Sequence, residues 1–101
     1  MQQNRCHARL NFEEPIELLF DNAPQHGTTR NISHGGIFII TNPLPEYGEK
    51  CILKIQLPGV KEISEISCIV RWKKGNGIGL QFENLRAIEV WALSKLINTL
   101  Q

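Results

Sequence analysis

Between Pro15 and Phe82 the apolar residues recur at every second position, in short runs separated by glycine, proline and asparagine. A period of two belongs to a strand with one buried face, so this stretch is committed to sheet. Pro15–Phe20 sets Ile16, Leu18 and Phe20 on one face and Glu17 on the other. A hairpin loop is expected over Asp21–Gly27, a short strand over Thr28–Ile32, a turn at Ser33–Gly36 and a third strand over Gly36–Thr41. Pro43, Pro45 and Gly48 mark a loop. Lys50–Leu57 alternates cleanly, Pro58-Gly59 turns the chain, and Glu62–Lys74 places Ile66, Cys68, Val70 and Trp72 on one face. A hairpin turn at Lys74–Gly77 leads into a last strand over Ile78–Phe82.

From Leu85 the period changes to about 3.6, the helical repeat. Leu85, Ile88, Trp91, Ala92, Leu96 and Leu100 form an apolar stripe, widened by Leu93 and Ile97, and Asn84 is the expected N-cap. Six short strands followed by one helix predict an all-β fold, a six-stranded antiparallel barrel with a C-terminal α-helix. At 101 residues the chain makes a single domain, with an N-terminal arm over residues 1–12 and the barrel and helix over 13–101.

The net charge of +1 argues against partners recognised by bulk charge, such as DNA, RNA or an anionic membrane. Cys6, Cys51 and Cys68 are odd in number and widely spaced, which points to a reducing compartment rather than a disulfide framework. The polar start, Met1-Gln2-Gln3-Asn4-Arg5, lacks a signal-peptide core, and the apolar run Ile37–Ile40 is far too short to insert in a membrane. A cytoplasmic protein is expected.

Two segments carry chemistry. Arg5-Cys6-His7-Ala8-Arg9 reads R-x-x-x-R, and Asn31-Ile32-Ser33-His34-Gly35-Gly36 reads N-x-S-x-x-G. Guanidinium groups bind phosphate bidentately and stack on planar rings. Asn31 offers an amide with one donor and one acceptor group, Ser33 a small hydroxyl, and Gly35-Gly36 a floor without Cβ atoms and freedom for positive φ. A third segment, Gly77-Ile78-Gly79-Leu80-Gln81-Phe82, follows the pattern G-x-G-[hydrophobic]-x-F.

In this order, from Arg5 through the terminal helix, the three segments make the chain resemble the PilZ domain family of bacterial receptors for cyclic di-GMP. The resemblance implies a PilZ-like barrel whose ligand is cyclic di-GMP, with no further cofactor. It implies Arg5, Arg9, Asn31, Ser33, Gly35 and Gly36 as binding residues. Trp72, which aligns with a residue near the ligand in some family members, joins them as a binding candidate, although its alternation places it on the Cys68-Val70 face, where a core tryptophan is expected. The implied activity is an ordering switch: the ligand draws the arm onto the barrel and a downstream protein reads the change. The alternative within the family is an adaptor that works by protein–protein contact without nucleotide. Homodimerisation, the partner and the ligand stoichiometry stay open.

Other chemistries find less support. His7, His26, His34 and Cys6 match no zinc spacing, so no metal site is expected. Ser33 and His34 are adjacent, whereas a nucleophile and its base are assembled from distant positions, and no acid–base pair stands out; the chain does not read as an enzyme. Arg71, Lys73 and Lys74 read as a solvated strand end.

Overall fold

The computed structural model describes residues 9–101, and in it the six period-two segments become strands, a short further strand precedes them, and the last segment becomes a helix. These are β1 (Leu10–Asn11), β2 (Pro15–Phe20), β3 (Ala23–Ile32), β4 (Gly36–Thr41), β5 (Lys50–Ile55), β6 (Ser64–Lys74), β7 (Gly77–Phe82) and α1 (Ala87–Leu100). Every pairing is antiparallel. The order β3-β2-β5-β6-β7-β4 closes through a β3–β4 pairing, so β2 to β7 form a six-stranded barrel. The short β1 pairs with the end of β3, Leu10 opposite Ile32 and Asn11 opposite Asn31.

The inward half of each alternation fills the barrel. Leu18, Ile32, Ile37, Ile39, Leu53, Val70, Ile78 and Leu80 are all fully buried. Each such side chain contributes roughly 1.5–3 kcal/mol by leaving water.

The β2–β3 connection differs from the expected loop. Asp21 and Asn22 alone make the turn, at φ 47° and 65°, and Phe20 pairs directly with Ala23. Two positive φ values match the right-handed twist of a hairpin, and Asp and Asn tolerate them. Pro24, Gln25, His26 and Gly27 therefore extend β3 instead of forming a loop. Gly27 serves packing rather than turning: a Cβ there would lie 2.8 Å from both Ile39 Cγ2 and the Ile40 carbonyl oxygen.

The helix also begins later than expected. Asn84 has φ 50°, and Arg86 is the N-cap. Glu89 Oε1 accepts from the Arg86 backbone N–H at 2.9 Å, and Oε2 accepts from its guanidinium Nη2 at 2.8 Å. This side chain is 2% exposed, and it turns the helix so that Ala92, Leu93, Leu96 and Ile97 face inward beside it. Ile88 and Trp91, assigned to the apolar stripe from the sequence, lie outside it and are 43% and 48% exposed. The arm expected over residues 1–12 already joins the sheet at Leu10, and Phe12 packs against the core.

Candidate functional site

Two β-bulges shape one side of the barrel. The β3–β4 register slips between Thr29 and Asn31, and the β6–β7 register slips between Val70 and Trp72. A bulge sets two neighbouring residues opposite one on the partner strand and re-aims the side chains around it. Arg30 and Asn31 consequently both face away from the core, as do Arg71 and Trp72, while Thr29, Ile32 and Val70 stay buried. This corrects the core assignment of Trp72, which is 38% exposed. Alternation counted from Cys68 holds only as far as Val70.

Trp72 lies over its cross-strand neighbour Gly79, where a Cβ would come within 2.2 Å of the indole ring. Phe38 lies in the same way over Gly77, where a Cβ would be 2.6 Å from the phenyl ring. The two alternate glycines of β7 thus strip one strand face bare and seat two aromatic rings on the outer surface. Gly77, Gly79 and Phe38 were not among the expected site residues. The G-x-G spacing was their signal, since alternate glycines in a strand fall on one face.

Arg9 comes to this surface from the position just before β1. Its guanidinium carbon stands 4.8 Å from the centroid of the Trp72 ring, and its Nη1 donates to Asn31 Oδ1 at 2.6 Å. A cation over an indole face contributes about 0.5–1 kcal/mol when exposed and about 2 when desolvated. Arg9 and Asn31, one from each motif and 22 positions apart, are therefore in direct contact. Arg5 lies outside the described residues.

The β3–β4 turn holds the rest of the second motif. Ser33 N–H donates to the Gly36 carbonyl at 2.9 Å, and the Ser33 hydroxyl accepts from Gly35 N–H at 3.3 Å. Ser33 is 5% exposed, so its hydroxyl shapes the turn from below. Gly36 does not have a positive φ. A Cβ there would fall 2.2 Å from the Leu80 carbonyl oxygen of β7, so its bareness lets two strands approach.

Two grooves flank Arg9 and Trp72, which line both. One, of about 280 Å³, is lined by Ser33, Gly35, Gly36 and Arg71. The other, of about 480 Å³, is lined by Arg30, Asn31, Phe38, Ile40, Lys74 and Asn76. Asn31, Ser33, Gly35, Gly36, Trp72 and Arg9 thus gather around one continuous surface. A separate recess beside Asp21, Lys50, Cys51 and Glu83 contains none of the motif residues. Among the described residues no group of three or more His, Cys, Asp or Glu could hold a metal ion, and no helix is long and apolar enough to cross a membrane.

The family model of the PilZ domain matches residues 3–99. Among solved structures, the chain is similar to the PilZ domain of CeSA from a cellulose-synthesizing bacterium, at TM-score 0.71 and 13% identity, covering 92% of this chain and 97% of that one. It is similar to the PilZ domain of YcgR from Escherichia coli with c-di-GMP, at TM-score 0.71 and 14% identity, covering 97% and 92%. It is also similar to the Bacillus subtilis inhibitor of motility (MotI/DgrA), at TM-score 0.72 and 19% identity, covering 99% of this chain but 55% of that one. Among curated proteins, none matches.

Proposed function

The chain belongs to the PilZ domain family, and we propose that it is a receptor for cyclic di-GMP that signals ligand occupancy to a partner protein. PilZ domains are receptors and adaptors, and their work is binding rather than catalysis. The observation that carries the proposal is the junction of the two motifs, with Arg9 hydrogen-bonded to Asn31 and stacked on Trp72. Such a cation beside an amide and a small-residue turn suits a compact, doubly charged purine ligand.

In this reading Arg9 supplies a fork to phosphate or guanine, and Asn31 meets a guanine edge. Ser33, Gly35 and Gly36 form the rigid turn the ligand rests against, and Trp72 holds Arg9 from below. Arg9 already stands at the barrel, hydrogen-bonded to Asn31. The similarity to the YcgR domain with c-di-GMP supports this reading. An adaptor role that works by protein contact is supported by the exposed Ile88, Val90 and Trp91 on α1.

Calorimetry with cyclic di-GMP tests the proposal. The unmodified protein should show saturable binding, and Arg9→Ala should weaken it about ten- to a hundredfold, the worth of one charged hydrogen bond. No binding by the unmodified protein would leave the adaptor reading.

A further inference from the structure

The outer face of β4 is built to be covered. Barrel strands with one wet face alternate apolar and polar residues, but Ile37-Phe38-Ile39-Ile40 is apolar on both faces. Ile37 and Ile39 are buried in the core, while Phe38 and Ile40 point outward and are only partly covered. They floor the larger of the two grooves, beside Trp72.

The rim of this groove is cationic and polar. Arg9, Arg30 and Lys74 border it, with Asn31 and Asn76. Arg30 is turned outward by the β3 bulge, and its ion pair with Glu13 is long, at 3.9 Å between well-exposed side chains. A pair of that kind holds a side chain weakly and leaves it free to move to a better acceptor. The smaller groove has its own outward arginine, Arg71, from the β6 bulge. Arg9 and Trp72 stand between the two as a divider. Each groove therefore combines bulge-presented guanidinium with access to the shared Arg9.

A flat apolar floor under a cationic rim suits an aromatic base joined to a phosphate. We propose that the groove floored by Phe38 and Ile40 and rimmed by Arg30 and Lys74 is a second purine seat, so that one cyclic dinucleotide straddles Trp72 with a base in each groove. The inference rests on the receptor reading and extends it from the two motifs to residues outside them. Phe38 offers the stacking face, made available because Gly77 lets its ring lie down on the sheet. Arg30 and Lys74 face the phosphate on that side.

The test is calorimetry with cyclic di-GMP on the unmodified protein, Phe38→Ala and Arg30→Ala, together with the Phe38 ring-proton shifts of the unmodified protein on saturation. Stacking on an aromatic side chain and a charged hydrogen bond each imply an affinity loss of about fivefold or more. Both variants should show it, and the Phe38 ring protons should move upfield. If the unmodified protein binds but both variants match it and the Phe38 signals stay still, the second seat is refuted while the receptor reading stands. If the unmodified protein does not bind, both fall. The proton shifts decide the matter without any variant, should Phe38→Ala fail to fold.

Discussion

Replacing Gly79 by alanine separates the seat of Trp72 from the stability of the barrel. An added Cβ would lie 2.2 Å from the nearest indole carbon. Ordinary carbon contacts are about 3.5–4.0 Å, so the ring must rise by more than about 1 Å. The obstacle is a partly exposed side chain, which can move, and Gly79 has no positive φ to strain. Alanine in a strand also avoids the roughly 0.5–1 kcal/mol penalty of glycine, so folding should be little changed. Binding should suffer, because Arg9 loses the face it stacks on, a contact of about 0.5–2 kcal/mol. That corresponds to about a two- to thirtyfold weaker Kd for cyclic di-GMP. Calorimetry reads the affinity, and tryptophan emission in a Trp91→Phe background reads the ring. Gly36→Ala is the contrasting case. Its Cβ would meet the Leu80 backbone oxygen at 2.2 Å, so β4 and β7 must part and the melting temperature should fall. At about 1–3 kcal/mol of overpacking, the drop is roughly 4–8 °C per kcal/mol. A Gly79→Ala protein with unchanged affinity and unchanged Trp72 emission would show that Gly79 does not seat the ring for binding.

Glu89→Ala should destabilise the fold by about 1–3 kcal/mol, read by thermal melting, because it removes a buried acceptor of the Arg86 backbone and guanidinium N–H groups. A melting point within the error of the unmodified protein would assign the helix start to packing alone. Cys51 and Cys68 face each other across β5 and β6, and both thiols are buried. Burial, helped by Glu49, pushes Cys51 from its ordinary 9.0 up to about 12, and burial, helped by Cys51 and Glu83, pushes Cys68 up as well. Thiols protonated in the folded chain but ionising in the unfolded one favour folding below the ordinary value. That contribution should be lost as pH rises from 9.0 through about 12, and iodoacetamide at neutral pH should leave both unmodified until the protein is denatured.

The barrel was legible because its strands obey one rule over most of their length. Where the rule fails, a local device has intervened. Asp21-Asn22 closes a hairpin where Asp21, Asn22, Pro24 and Gly27 together suggested a long loop. Pro24 and Gly27 then read as loop residues although both belong to β3. Neither bulge is written in the alternation, and the β6 bulge is what carries Trp72 outside. The stripe on α1 was misplaced because a glutamate, which a hydrophobic pattern assigns to solvent, sits in the interior with its own hydrogen bonds. On the site, the residue types and their order were informative: Arg9, Asn31, Ser33, Gly36 and Trp72 do converge. Their individual duties were less so. Gly36 makes room for a neighbouring strand, Ser33 shapes a turn, and the glycines that seat the aromatic rings are Gly77 and Gly79. Those duties depend on cross-strand neighbours, which a single sequence does not name.

In the receptor reading the two motifs meet in order to hold a charged purine dinucleotide. A crystal structure of the chain with cyclic di-GMP tests this most directly. Nucleotide density is expected against Asn31 and the Ser33–Gly36 turn, with guanidinium groups of Arg5 and Arg9 on it. Nucleotide bound elsewhere, or a surface between Asn31 and Trp72 left vacant at saturating ligand, would contradict it.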